Sequence, residues 1–128
     1  DWQTPPNWLP EDARPWWPVI VDELRARGQL RRVTPRRAAY LVQAIAQYHR
    51  VTSFLNEHGQ VSELRNDKGE VRKQEPAPEF KIQHQLLQTI AKLEKAYGID
   101  EEPTAKEDPL EALRSRLDQL ASATGARN

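Results

Sequence analysis

Residues 34–59 read TPRRAAYLVQAIAQYHRVTSFLNEHG and predict the central helix of the fold. Thr34 is a typical N-cap residue, and proline is well tolerated at the first helical position that follows it. Apolar residues then recur at helical spacing until Gly59, a residue type that commonly ends helices. One face contains Leu41, Ile45, Tyr48 and Leu55, and Ala38, Val42, Ala46 and Val51 widen it. A helix with so broad an apolar face is expected at the centre of a core or between subunits.

The next segment, GQVSELRNDKGEVRKQE at 59–75, predicts a β-hairpin at 60–75. Its residues alternate in polarity on both sides of the turn cluster Asn66-Asp67-Lys68-Gly69, in which glycine permits a positive φ. An isolated two-stranded hairpin is only marginally stable in water, so this one needs a partner. Either the helices of its own chain or a neighbouring subunit can provide that partner.

Two further helices are predicted on either side of these segments. The first covers roughly 11–27 and places Trp16, Ile20 and Leu24 on one apolar stripe. The third covers 79–97. The sequence therefore predicts a mainly α fold with three core helices, one β-hairpin inserted between the second and third helices, and a C-terminal amphipathic helix.

The N-terminal residues 1–10, DWQTPPNWLP, contain three prolines and predict an irregular arm. Its residues Trp2 and Trp8 are expected to dock on another surface, such as a neighbouring chain, because exposed tryptophan is unfavourable. The helical core follows at 11–98.

The C-terminal part is predicted to consist of an acidic linker at 99–108 and an amphipathic helix at 109–122. The leucines of this helix have a/d spacing over two heptads only: Leu110, Leu113, Leu117 and Leu120. Two heptads are too short for a helix that is stable alone, which favours a segment that folds on a partner. The alternative is a fourth core helix that packs on its own chain.

The formal net charge is zero, but the charges are unevenly distributed. Residues 24–50 contain seven arginines and no acidic residue, whereas residues 100–118 contain seven acidic and three basic residues. A basic block followed by an acidic segment favours a polyanion-binding surface and a separate segment with another role. The alternative is a solvated helix end followed by a solubilising tail.

Four arginines lie around the start of the second helix: Arg31, Arg32, Arg36 and Arg37. A helix N-terminus attracts phosphate, so these residues are candidates to clamp a nucleic-acid backbone. The seven-residue connection GQLRRVT is too long for a DNA-reading helix-turn-helix, so no base readout is predicted. The alternative is that the four arginines pair with nearby acids: Glu11, Asp12, Asp22 and Glu23.

The residues that enzymes and metal sites need are missing or badly spaced. The absence of cysteine excludes disulfides and thiolate metal ligands. His49, His58 and His84 lack ligand spacing, and there is no glycine-rich phosphate loop. The chain is therefore expected to be no enzyme and to need no metal or cofactor. The sequence also contains no apolar run near 18 residues, which argues against a membrane span.

The order of these landmarks resembles the small terminase subunit family of tailed bacteriophages. A proline-rich arm with P-x-W-L precedes a spaced set of residues: Ala13, Trp17, Ile20, Leu24 and Gly28. A long helix ending at Gly59, a charged turn with Gly69, and A-Y-G at 96–98 followed by Pro103 complete the pattern. The resemblance covers about residues 5–105.

The resemblance implies a non-enzymatic DNA-packaging factor. Such a protein assembles as a closed homo-oligomeric ring, with nine subunits as a candidate number, and binds double-stranded viral DNA. It recruits and stimulates the large terminase subunit, which has the ATPase and nuclease activities. It is expected in the host cytoplasm rather than in the virion, with no membrane partner.

Under this interpretation each set of candidate residues has a role. DNA would contact Arg31, Arg32, Arg36 and Arg37 together with the hairpin cations Arg65, Lys68, Arg72 and Lys73. The ring interface would include Trp2, Trp8, Trp16 and Trp17, with Val61, Leu64 and Val71 of the hairpin against a neighbour. The large subunit would contact Leu110, Leu113, Leu117 and Leu120. The alternative function is a small cytoplasmic DNA-binding regulator, a repressor or antitoxin-like dimer, which stoichiometry distinguishes from a ring.

Overall fold

The computed structural model describes residues 1–59, 61–102 and 106–124, without the side chains at 61, 62, 64, 72 and 73. A 3-10 turn at Glu11–Ala13 precedes the regular elements, which are α1 (Trp16–Ala26), α2 (Pro35–His58), β1 (Val61–Arg65), β2 (Val71–Pro76), α3 (Pro78–Ala96) and α4 (Pro109–Thr124). The predicted mainly helical class is confirmed.

Local signals fix both ends of α2. Thr34 has an extended backbone, with φ −84° and ψ 156°, and its hydroxyl accepts a hydrogen bond from the Arg37 N–H at 3.2 Å. At the other end Gly59 has a φ of 84°, and its N–H donates to the Leu55 carbonyl at 2.8 Å. A positive φ favours glycine because a Cβ atom would be strained there. The helix therefore begins and ends where the sequence predicts.

Helices α2 and α3 form an antiparallel pair. The Tyr97 hydroxyl, just after α3, donates to the Arg37 carbonyl at the start of α2 (2.9 Å). Near the other end, the Gln83 side-chain amide donates to the Thr52 hydroxyl, also at 2.9 Å. These two contacts fix the register of the pair.

The hydrophobic core lies beside the first part of α2 and the second part of α3. Its largest fully buried side chains come from all four helices and include Trp16, Leu24, Leu41, Ile45, Tyr48, Leu87, Ile90 and Leu117. The apolar stripe of α1 packs on α2 in this core. This arrangement leaves the hairpin end of the α2–α3 pair outside the densely packed region.

The N-terminal arm packs on its own chain. The ring of Trp2 stacks on that of Trp17 with centroids 6.0 Å apart, and the Trp17 indole N–H donates to the Trp2 carbonyl at 3.0 Å. Leu9 is buried in the core cluster. The arm is irregular, as its prolines require, but it is held in place by these contacts.

Helix α4 packs against α3 and the core. Its residues Leu113, Leu117 and Ala121 are buried. The Arg116 guanidinium donates to both carboxylate oxygens of Glu94 on α3, at 2.8 and 2.5 Å. Glu94 is only 3% exposed, so this ion pair is part of the packed interior. Within one chain, α4 thus occupies the position of a fourth core helix.

Strands β1 and β2 pair antiparallel, with Val61 opposite Pro76 and an irregularity between Leu64 and Arg65. In the turn, the Asn66 side-chain oxygen accepts hydrogen bonds from the backbone N–H groups of Lys68 and Glu70, at 2.9 and 3.0 Å. Among the described residues, neither strand makes an extensive contact with a helix. The hairpin therefore projects from the end of the α2–α3 pair.

Candidate nucleic-acid interface

The connection between α1 and α2 is a hydrogen-bonded loop anchored by a buried valine. The Gln29 N–H donates to the Leu24 carbonyl at 2.8 Å, and the Gln29 carbonyl accepts from Arg32 and Val33 at 2.9 and 3.1 Å. Val33 is only 5% exposed and belongs to the core cluster. With Val33 directed inward, the neighbouring side chains of Arg31 and Arg32 lie at the surface.

The four predicted arginines around this loop are all exposed: Arg31, Arg32, Arg36 and Arg37. Within the part of the chain that the structure describes, none of them forms an ion pair. We call this set the arginine cluster. A guanidinium without a carboxylate partner is favourable only in contact with water, and all four of these charges are open to solvent.

Three of the four acids that could have paired with the arginine cluster have other partners. Asp22 and Glu23 bind Arg25 and Arg27 at 3.0 and 3.1 Å. These pairs form because side chains three and four positions apart are neighbours on a helix. Asp12 binds Arg50 at 2.5 Å. Glu11 forms no ion pair with the arginine cluster in the described part of the chain, so none of the alternative pairings is present there.

The first turn of α2 adds further positive potential. It contains no acidic side chain, and the dipole of a helix is positive at its N-terminus. Tyr97 fixes this turn against the end of α3 through its hydrogen bond to the Arg37 carbonyl. Burial raises the pKa of the Tyr97 phenol, and the nearby Arg37 charge lowers it by less. The phenol therefore keeps its proton at neutral pH and donates to the backbone that carries Arg37.

The family model described as phage terminase, small subunit, matches residues 13–107. The chain belongs to the phage terminase small-subunit family. Comparison with curated proteins and with solved structures gave no significant match.

Family membership supports a role in phage DNA packaging, in which the terminase small subunit is generally a non-catalytic component. The matched range includes the whole arginine cluster and ends just before α4. Among the described residues there is no group of three or more metal-ligating side chains. No described helix has the length and apolar character needed to cross a membrane.

The predicted hairpin cations are not brought together with the arginine cluster. The hairpin begins at the far end of α2, about 35 Å from the cluster along a helix of this length. Arg65 binds Glu63 at 2.6 Å and donates to the Gly69 carbonyl at 2.8 Å, so its charge is partly offset. Lys68 is exposed. The side chains of Arg72 and Lys73 lie outside the described part of this small subunit.

The four tryptophans do not form the exposed surface that a ring interface needs. Trp16 and Trp17 are 1% and 2% exposed, because the apolar stripe of α1 is directed to its own α2. Trp2 is half-buried on Trp17. Among the four only Trp8 is largely exposed, and contact of the tryptophans with a neighbouring subunit stays a prediction.

The leucines of α4 are likewise turned toward the chain itself. Leu113 and Leu117 are buried, whereas Leu110 and Leu120 are partly buried against the core. Access of a partner to the first two requires that α4 leaves the core. Binding of the large terminase subunit by these residues stays a prediction.

An acid-lined cavity of about 850 Å³ lies between α1 and α4. Its walls include Glu23, Glu101, Glu107, Asp108 and Glu111, together with the Glu94–Arg116 pair. So many carboxylates repel phosphate, which separates this cavity from the candidate DNA surface.

Sequence reasoning missed two features of this small subunit. The first is the buried Glu94, which the helical spacing reveals, since Leu87, Ile90, Glu94 and Tyr97 all fall on the buried face of α3. The second is an exposed aromatic pair formed by Trp8 and Tyr40. Tyr40 follows the arginines Arg36 and Arg37 by about one turn, a spacing that would have marked it as a member of the same surface.

Proposed function

We propose that this terminase small subunit is a ring-forming packaging factor that binds double-stranded viral DNA and recruits and stimulates the large terminase subunit. It acts in the host cytoplasm. The observation that supports DNA binding is the arginine cluster, whose four exposed charges have no carboxylate partner in the described part of the chain.

The chemistry of the arginine cluster suits phosphate rather than base edges. Guanidinium groups bind phosphate oxygens with two parallel N–H donors, and each contact releases counterions from DNA. The positive end of α2 lies among the four groups and adds to the attraction. The loop does not have the short turn of a reading helix, so the affinity is expected to vary little with DNA sequence.

Titration of duplex DNA at several salt concentrations tests this proposal. Replacing Arg31, Arg32, Arg36 and Arg37 by alanine should weaken binding to unrelated sequences alike. The slope of log affinity against log salt should flatten by roughly 0.9 for each lost phosphate contact. The matched control replaces Arg25 and Arg50, which are also exposed but already bind Asp22 and Asp12. Equal affinities of the quadruple variant and the wild type would refute the assignment.

The exposed apolar side chains at the hairpin end support assembly into a ring. Large exposed hydrophobic residues cluster there in the described chain: Phe54, Val71, Phe80 and Ile82 are between 39% and 45% exposed. Exposed apolar groups concentrated in one region mark interaction sites. In a closed ring each subunit presents one patch to a different patch on its neighbour. The hairpin would thus lie against the neighbouring subunit, and nine is the candidate ring order.

The mass of the assembly in solution tests the ring. Native mass spectrometry at physiological salt should give one closed oligomer well above a dimer. A dimer would instead favour the DNA-binding regulator as the function, and a monomer would remove the basis for an interface at the hairpin end.

For recruitment of the large subunit we propose α4. The family match ends at residue 107, immediately before this helix, which suits a segment adapted to its own partner. Its half-buried Leu110 and Leu120 lie at the edge of the core. Deletion of 104–128 should abolish stimulation of the ATPase of the large subunit. Because the deletion also removes the buried Leu113 and Leu117, circular dichroism must show that the remaining chain is still folded. If stimulation persists after the deletion, the partner-binding surface is elsewhere.

A further inference from the structure

An exposed aromatic pair adjoins the arginine cluster. The rings of Trp8 in the arm and Tyr40 on α2 have centroids 5.7 Å apart, with planes inclined by 36°. They are 46% and 45% exposed, respectively. Large aromatic rings are usually buried in a folded chain. Two neighbouring rings that are both exposed therefore need an explanation.

Trp8 is exposed because the residues on either side of it are fixed to the rest of the chain. The next residue, Leu9, is buried, and its N–H donates to the Pro6 carbonyl at 3.1 Å. The preceding residue, Asn7, accepts a hydrogen bond from the Arg14 guanidinium at 3.3 Å. Trp8 is thus held between two fixed neighbours with its ring outward. A ligand that binds it has little conformational entropy to remove.

Tyr40 connects this pair to the arginine cluster. It lies four residues after Arg36 and three after Arg37, a spacing that places all three side chains on one face of α2. All three are exposed. Two aromatic rings and two unpaired guanidinium groups therefore form one continuous strip, which we call the aromatic–arginine strip: Trp8, Arg36, Arg37 and Tyr40.

We infer that this strip binds single-stranded DNA, with unpaired bases stacked on Trp8 and Tyr40 and the adjacent phosphates held by Arg36 and Arg37. Alternating cations and aromatic rings are what single-stranded nucleic acid requires, because every base has a face that can stack. In a duplex those faces are covered by neighbouring base pairs, so the ligand is an unpaired segment. The inference rests on the proposed DNA-binding function and extends it to a second form of DNA.

A second copy of this chain fits the strip less well. Two aromatic rings offer far less apolar area than a stable protein interface needs, which is about 800 Å² on each partner. The neighbour would also have to supply carboxylates to the arginines. Single-stranded DNA brings its own negative charge at regular spacing and needs only one or two rings.

The test compares oligo-dT with a mixed-sequence duplex as ligands for the full chain. Trp8→Ala and Tyr40→Ala should each weaken binding of oligo-dT by roughly 5- to 100-fold, the usual effect of losing one stacked base. Binding of the duplex should change little. Trp8→Phe should restore most of the affinity, because it retains a ring. His84→Ala is the control, since His84 is an exposed aromatic residue on α3 that belongs neither to the strip nor to the proposed ring interface.

Three results would overturn the inference, and they are distinguishable. Unchanged oligo-dT affinity in both alanine variants, with duplex binding retained, refutes base stacking and leaves the proposed function intact. Absence of binding to either DNA by the wild type refutes both. A lower assembly mass of the double variant Trp8→Ala/Tyr40→Ala assigns the pair to a subunit interface instead. Circular dichroism of each variant verifies that the chain is folded.

Discussion

The two ends of the α2–α3 pair are built from different kinds of surface. At one end the tryptophans of α1, the first part of α2 and the leucines of α4 pack into a continuous core. At the other end Phe54, Phe80 and Ile82 are exposed, and the described residues of the hairpin make no extensive contact with a helix. The first end is stabilised within the chain and exposes large aromatic side chains only at Trp8 and Tyr40 in the described structure. The second exposes the apolar side chains on which the proposed ring interface depends.

The largest expected loss of stability is at the packed end. Trp16→Ala should lower the free energy of unfolding by about 3–5 kcal/mol, because it leaves a cavity among fully buried neighbours. Phe54→Ala, at the exposed end, should change it by less than about 0.5 kcal/mol. Chemical denaturation at a fixed protein concentration gives both values. Similar losses for the two variants would abolish the distinction between the ends.

A somewhat smaller loss is expected at the buried ion pair. Glu94→Ala leaves Arg116 without its main partner and should cost about 2–4 kcal/mol, since breaking a buried pair exposes an uncompensated charge. Glu101→Ala is the control, because Glu101 contacts the same guanidinium at 3.9 Å but is 60% exposed. Its cost should be no more than about 1 kcal/mol. If the two variants are equally stable, the ion pair does not hold α4 in place.

A pH-dependent loss of folding stability is expected from His49, which lies in the middle of α2 between the two ends. Burial lowers the pKa of this imidazole from its ordinary value of 6.5, and the Asp118 charge raises it by less. Its ring stacks on Trp16 with centroids 4.7 Å apart, and the charged groups around the adjoining cavity are Asp12, Arg50 and Glu57. The unfolded chain binds the proton more tightly, so the stabilisation is fully present above pH 6.5 and falls at lower pH.

His49→Phe tests this effect because it retains a stacked ring without a titrating group. The free energy of unfolding of the wild type should fall more than that of the variant between about pH 7.5 and pH 5. Parallel curves for the two proteins would contradict the assignment to His49.

The smallest effect on the stability of the subunit is expected at the hairpin end. Phe80→Glu and Ile82→Glu place charges on exposed positions, so the free energy of unfolding of the isolated subunit should change by less than about 0.5 kcal/mol. The mass of the assembly should nevertheless fall, because an unpaired charge in an interface is costly. Lys92→Glu, at an exposed position further along α3, is the control. Retention of the full mass would exclude this end from the interface.

The sequence predicts α2 well because its boundaries depend on local chemistry at Thr34, Pro35 and Gly59. It does not predict which surface covers an apolar stripe. The spacing of Trp16, Ile20 and Leu24 requires that this face is covered, but it is equally compatible with the same chain and with a neighbour. The leucines of α4 pose the same difficulty, and the structure directs Leu113 and Leu117 to their own core.

The sequence predicts where the candidate site lies, but not which of its side chains bind which partners. The density of arginine around residue 34 marks the basic surface, whereas the choice of partners depends on three-dimensional proximity. Asp22 and Glu23 bind arginines within their own helix. The contact between Trp8 and Tyr40 joins residues 32 positions apart, and no local pattern identifies a contact of that range.

Helix α2 extends from the arginine cluster to the hairpin as one uninterrupted rod of 24 residues. At 1.5 Å per residue it is about 36 Å long, so a tilt of about 5° at the hairpin end displaces the opposite end by about 3 Å. That displacement is comparable to the length of a hydrogen bond. In an assembly of such subunits, α2 would act as a lever that converts small rotations at the contacts between neighbours into changes in the spacing of the guanidinium groups.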